Sequence, residues 1–307
     1  MVFFGATAFS TANTAAHPAG PLHANLRRDD ALILSVPYLF NQQMSEAAGM
    51  TEHPGFGVML GWLLDHRGLS AQELADRAGL AADEVRSVLA GEAPSEGLLR
   101  RIAPAVGFHA VDLFILAGLA VPDDMAPLDA AAERWAPYIA MDAVHLPSAE
   151  RRELLLLIRS LPQEERLSVF AVKPPAAHAG PGGWVIRMLQ YRNLSRHGMA
   201  KVLAVVTPTY LSPPTYGVIG DGHKDLTPRS VTDFAVLLGI DARELATLTG
   251  VHLREVPPPP APEAMDAAVL LWEARRLSAA QAQHVAELAR SMRGDSAHGY
   301  FINLPGS

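Results

Sequence analysis

From residue 56 onward, apolar side chains return every third or fourth position in short blocks, and most of the blocks close on a glycine. Phe56, Met59, Leu60, Leu63 and Leu64 share one face of a first amphipathic helix, which Gly68 stops. Ser70, with Glu73 three residues later, makes a capping box for a second helix that turns Leu74 and Ala75 inward and ends at Gly79. A third helix over 81–90 carries Val85, Val88 and Leu89 inward and closes at Gly91. A cap near Ser95 starts a fourth, with Leu98, Leu99, Ile102 and Val106 on its inner face. Gly107 separates it from a strongly apolar fifth, 111–119. The spacing predicts an all-α chain of short helices.

The pattern then occurs a second time. Arg67-Gly68-Leu69-Ser70 is answered by Arg192-Asn193-Leu194-Ser195 at an offset of 125, and Gly91 by Gly222 at 131. At 132, Ala103, Gly107, Ala110, Leu113, Leu116 and Gly118 are answered by Ala235, Gly239, Ala242, Leu245, Leu248 and Gly250. The register returns to 131 for Leu146, Ala149, Leu157, Arg159 and Ser160 against Leu277, Ala280, Leu288, Arg290 and Ser291. A period this long is a duplicated domain rather than a solenoid. The second copy diverges most where about six residues are inserted around Val206 to Pro213, before Thr215-Tyr216-Gly217-Val218-Ile219.

Each copy is followed by a helical tail. A helix near Trp135 and another over 149–160 follow the first, while 265–272 and 279–292 follow the second. Pro257 to Pro260 form a stiff spacer. The expected organisation is a poorly ordered leader over 1–55, a first unit over 56–121 and its tail over 122–172. A Pro-, Gly- and Ala-rich linker over 173–182 precedes a second unit over 183–253, then a Pro-rich linker over 254–262. The second tail spans 263–293, and 294–307 form a C-terminal tail. Met44 or Met50 is a candidate alternative start, since organised sequence begins only at Phe56.

Five short helices with a tight turn between the second and third are the layout of a helix-turn-helix domain. The stretch Leu69-Ser70-Ala71-Gln72-Glu73-Leu74-Ala75, with Gly79-Leu80, Val85, Val88 and Gly91, resembles the lambda-repressor/Cro (XRE-type) family. Leu98, Ile102-Ala103, Val106-Gly107 and Leu113 continue the resemblance over roughly sixty residues. It implies two lambda-repressor-like units that bind double-stranded DNA, with polar side chains of helix 3 set into the major groove. Carried over by position, the groove-facing residues of the first copy are Ala82, Asp83, Arg86 and Ser87, with Gln72 beside a phosphate. In the second copy the candidates are Arg192, Arg196, His197 and Lys201 around helix 2, then Thr215 and Lys224 in and after helix 3. Tyr216 answers Val85 and is expected in the core; Arg86 is read either as a DNA contact or as a solvated charge.

Charge divides the copies. Residues 56–119 hold five arginines against eight carboxylates, a balance of −3 with Asp83 and Glu84 on the reading helix itself. Residues 183–252 hold seven Lys or Arg against five carboxylates, a balance of +2. The whole chain carries −7, which argues against a large nonspecific nucleic-acid surface but not against a local basic face. Phosphate contact is therefore easier to argue for the second copy than base reading, since Gly217 and Val218 offer bases no hydrogen bonds.

Other chemistry finds little support in the residues. Cysteine is absent, which excludes disulfides and thiolate ligands. The twelve histidines form no metal-binding spacing, and no cofactor motif is present: Gly180-Pro181-Gly182-Gly183 lacks the Lys-Ser/Thr of a phosphate loop and reads as linker. No apolar run reaches the length of a membrane span, and the uncharged first sixteen residues lack the basic start of a signal peptide. The expectation is a cytoplasmic, non-enzymatic transcriptional regulator, its tandem imitating a repressor dimer within one chain. The rival is a protein–protein adaptor on the same scaffold. A homodimer or protein partner is expected, if anywhere, on the first copy or the helical tails.

Overall fold

The computed structural model describes residues 54–166, 170–172, 180–207 and 209–298, all within the unit spanning His53–Ser307. The expected leader up to residue 53, the candidate starts within it, linker residues 173–179 and residues 299–307 lie outside the described residues.

Among the described residues the regular structure is helical throughout. The first half runs α1 (Phe56–Arg67), α2 (Ala71–Ala78), α3 (Ala82–Leu89), α4 (Glu96–Ala105), α5 (Ala110–Leu116), α6 (Ala136–Ala143) and α7 (Ser148–Ser160). The second runs α8 (Gly180–Gln190), α9 (Arg196–Val206), α10 (Pro213–Gly220), α11 (Pro228–Leu238), α12 (Ala242–Thr249), α13 (Pro262–Ala274) and α14 (Ala279–His298). Two 3-10 turns, Asp123–Met125 and Ala130–Arg134, lie between α5 and α6.

The local chemistry repeats with the elements. Ser70 and Ser195 cap α2 and α9 by accepting from the backbone N–H three residues on, and Ser95 and Thr227 do the same for α4 and α11. Gly68 leaves α1 in the left-handed region at φ 62°, and Asn193 holds the matching place at φ 60°. Asparagine is among the few residues that tolerate that conformation. Gly57 and Gly182, also in register, mark where α1 crosses α3 and α8 crosses α10. A methyl group on either would run into the carbonyl oxygen of Val88 or of Ile219. Residues 180–183 are therefore not linker: they form the first turn of α8, and the missing side chain of Gly182 serves a close helix crossing.

The two copies share one core and meet reciprocally. Helix α5 packs against α8, and α12 packs against α1 and α8. At one crossing Arg67, at the end of α1, forms a double contact with Glu244 on α12, at 2.5 and 2.8 Å. At the other, Arg192 forms a double contact with Asp112 on α5, at 2.8 and 2.9 Å. Arg192 is the repeat counterpart of Arg67, and Glu244 that of Asp112, so the same ion pair is made twice, reciprocally, between the copies.

The tails obey the same relation. Helices α6 and α7 interlock with α13 and α14 around a second core. Its members pair at an offset of 131: Ile139 with Leu270, Ala143 with Ala274, Leu146 with Leu277, Leu154 with Val285, and Ile158 with Ala289. Arg159 to Glu273 at 2.9 Å and Arg290 to Asp142 at 3.7 Å are again one ion pair made twice. The buried apolar faces of the tails thus meet each other inside the chain, while Leu156, Met265 and Val269 stay exposed. The bundle departs from symmetry in how it leans: α6 rests on α9, whereas α13 rests on α11.

Candidate nucleic-acid interface

In the first copy, Val85 and Val88 anchor α3 in the core and leave Asp83, Glu84 and Arg86 exposed, with Ser87 half-buried. Arg86 donates to Asp83 at 2.6 Å one turn back, and Gln72 donates to Asp76 at 2.9 Å along α2. Both sequence candidates are thus engaged by carboxylates of their own helix, although exposed pairs of this kind are weak. Glu73 is held below the ordinary carboxylate range by the backbone and hydroxyl of Ser70. The outer α2–α3 face is therefore acidic at neutral pH, and a phosphate approaching it meets repulsion.

The second copy is built differently. Ser212 stands before α10 with its hydroxyl 2.9 Å from that of Thr215, so this half-buried candidate is tied at the helix start. Tyr216 is fully buried and packs against Phe234 at 6.2 Å between ring centroids, a core position as its match to Val85 implies. Burial first, and Asp233 second, push its phenol up to about 12. Over Gly217 lies the guanidinium of Arg196, reaching across from α9; a side chain at 217 would collide with it. The donor that α10 lacks is thus supplied by its neighbour. His197 and Lys224 are exposed. Lys201, exposed on α9, donates to the hydroxyl of Tyr138 at 2.8 Å and lies 4.7 Å from that ring's centre.

One sequence candidate is overturned. Arg192 has no exposed surface and cannot reach a phosphate. Its two terminal nitrogens are consumed by Asp112 and by the carbonyls of Met188 and Leu238, at 2.8 to 3.0 Å. The reason is the duplication itself: the arginine that ends the first helix of a copy serves the seam between copies. Its match to Arg67 was visible in the chain, but the partner carboxylates lie 80 and 177 residues away. Of the basic candidates of the second copy, Arg196, Lys201 and Lys224 are thus the exposed ones and Arg192 is not. Arg134 and Arg290, which stand beside Lys201 around Tyr138, were not among the sequence candidates, since only the docking of α6 and α14 brings them to α9.

Near the seam, His109 stacks on Trp272 with ring centres 3.5 Å apart, and Arg275 lies 3.7 Å from the same indole. Burial first, and the nearby Arg192 second, lower the imidazole to about 4, so it is neutral at physiological pH. Among the described residues no helix is long and apolar enough to cross a membrane. No protein-family model, curated protein or solved structure matches the chain.

Proposed function

We propose that the chain is a DNA-binding transcriptional regulator in which two lambda-repressor-like units are fused as an internal pseudo-dimer. The observation that supports this reading is the seam: Arg67–Glu244 and Arg192–Asp112 join the copies reciprocally, the kind of contact that also joins two identical subunits. Dimeric helix-turn-helix proteins use that symmetry to address two half-sites about 34 Å apart. Fusion removes the concentration dependence of dimerisation. The charge difference between the copies supports an unequal division of work. The second copy meets the phosphate backbone through Arg196, His197, Lys201 and Lys224, and Arg196 is the residue placed to reach beyond the backbone. The acidic first copy fits a weaker or DNA-independent role. An asymmetric operator follows.

Fluorescence anisotropy of the full chain on mixed-sequence duplex DNA, repeated across salt concentrations, tests the reading. Binding should weaken steeply with salt, and Arg196→Ala with Lys224→Ala should lower affinity on all sequences and reduce the salt slope by about two. Salt-independent retention, or no retention, would remove DNA from the function.

A second reading is a protein–protein adaptor on the same scaffold. The α2–α3 face favours it, because Gln72 and Arg86 are spent on Asp76 and Asp83. Binding of a protein partner that survives loss of all DNA affinity would decide for it.

A further inference from the structure

Beside the first tail, Arg134, His197, Lys201 and Arg290 line one open cleft of about 400 Å³ that contains Tyr138. With Tyr138 on α6, they are gathered from four places in the chain: the second 3-10 turn, α6, α9 and α14. Lys201 and Arg290 lie 4.7 and 5.4 Å from the centre of the Tyr138 ring, and Arg134 lies 5.2 Å from that of Trp135. Against these cations the lining offers one carboxylate, Glu133. Asp142 reaches Arg290 at 3.7 Å but is held more closely by Arg293, at 2.7 Å. The cleft is open to the start of α9, where Ser195 caps an eleven-residue helix whose first turn presents its positive end.

The repeat shows that the fold does not need these charges. In register, Arg134 answers Met265, Tyr138 answers Val269, His197 answers Gln72 and Lys201 answers Asp76. The counterpart segments therefore carry apolar, neutral and acidic side chains in those places, Met265 within α13 where Arg134 closes a 3-10 turn. Of the four, Arg290 alone has a cationic counterpart, Arg159, which is tied to Glu273 at 2.9 Å. Like charges gathered about one ring repel, so a set of cations that the sister elements do without points to an anion.

We propose that this cleft is a phosphate-binding site, with Arg134 and Arg290 as guanidinium forks, Lys201 as a point charge and His197 at the rim. Guanidinium groups match the paired oxygens of a phosphate, and a phosphate monoester carries close to two charges at neutral pH. The phosphate is either part of a DNA backbone or carried by a free phosphorylated compound. The assignment goes beyond the regulator reading and does not depend on it.

The test titrates the full chain with inorganic phosphate by calorimetry, and with a short duplex by anisotropy at matched ionic strength. Variants are Arg134→Ala, the pair Arg134→Ala/Arg290→Ala, and Arg159→Ala as a charge-matched control outside the cleft. The expected result is a loss of at least about tenfold in phosphate or duplex affinity for the pair, a smaller loss for Arg134→Ala, and none for Arg159→Ala. Competition between phosphate and duplex identifies the backbone as the source; phosphate binding without competition identifies a free compound. The proposal is overturned if neither ligand is affected by the pair, or if Arg159→Ala weakens binding as much. Duplex binding, with neither ligand sensitive to the pair, sinks the cleft and spares the regulator. Phosphate binding with no duplex binding does the reverse.

Discussion

Asp112→Asn is the most informative perturbation, because the molecule contains its own control. Asp112 and Arg192 are both fully buried, and the guanidinium holds four hydrogen bonds, two of them to this carboxylate. Removing the carboxylate charge leaves a cation in the core with only neutral acceptors around it, the carbonyls of Met188 and Leu238 and the one amide oxygen of the new side chain. Breaking a buried pair in this way costs about 3–5 kcal/mol, more than the pair contributes relative to apolar residues. The counterpart, Glu244→Gln, strands Arg67, whose side chain keeps 25% of its surface in water. Water replaces the lost partner there, and the cost falls to about 1 kcal/mol. For a body of this size, about 3–5 kcal/mol lowers Tm by roughly 6–20 °C, against about 2–4 °C for the control. Urea denaturation followed by circular dichroism, with matched thermal melts, reads both. Asp112→Leu combined with Arg192→Met should recover most of the loss, since the penalty belongs to the orphaned charge. Equal destabilisation by Asp112→Asn and Glu244→Gln would refute the reasoning, because burial would then not distinguish the two halves of the seam.

Gly57→Ala and Gly182→Ala should each destabilise by about 1–3 kcal/mol through overpacking against a backbone carbonyl, while Gly97→Ala, facing open space, should not. Denaturant midpoints of the three variants check this. Protonation should also loosen the seam. With a folded pKa of about 4 against an ordinary imidazole value of 6.5, His109 takes up its proton in the unfolded chain first, so stability falls as pH drops from about 6.5 towards 4. The contribution is no more than about 3 kcal/mol, and His109→Phe should flatten that part of the pH–stability profile. In the tail bundle, Leu154→Ala should cost about 2–5 kcal/mol, because Leu154 is wholly buried there, whereas Leu156→Ala, exposed on the same helix, should cost almost nothing. Both are read from thermal melts.

The short helices were legible because their signals are local. Apolar spacing placed Phe56, Met59, Leu60, Leu63 and Leu64 on one buried face, and Ser70 with Glu73 formed the capping box that the three-residue spacing requires. The duplication was legible too, since matched glycines and caps record a backbone that must turn at the same places in both copies. Tyr216 could be assigned to the core from its register alone.

What the chain could not disclose is which way its charges face. Arg192 and Arg196 stand four residues apart with the same chemistry; one is sealed in a seam and the other lies over Gly217 at the surface. The glycines of 180–183 carry the composition of a linker, and only the approach of Ile219 makes them a helix crossing. Local order follows from hydrogen bonds and periodicity within a few residues, so one strand of text contains it. The fate of a cation follows from which distant carboxylate, carbonyl or ring is brought to it, and that was decided only when two similar halves closed on each other.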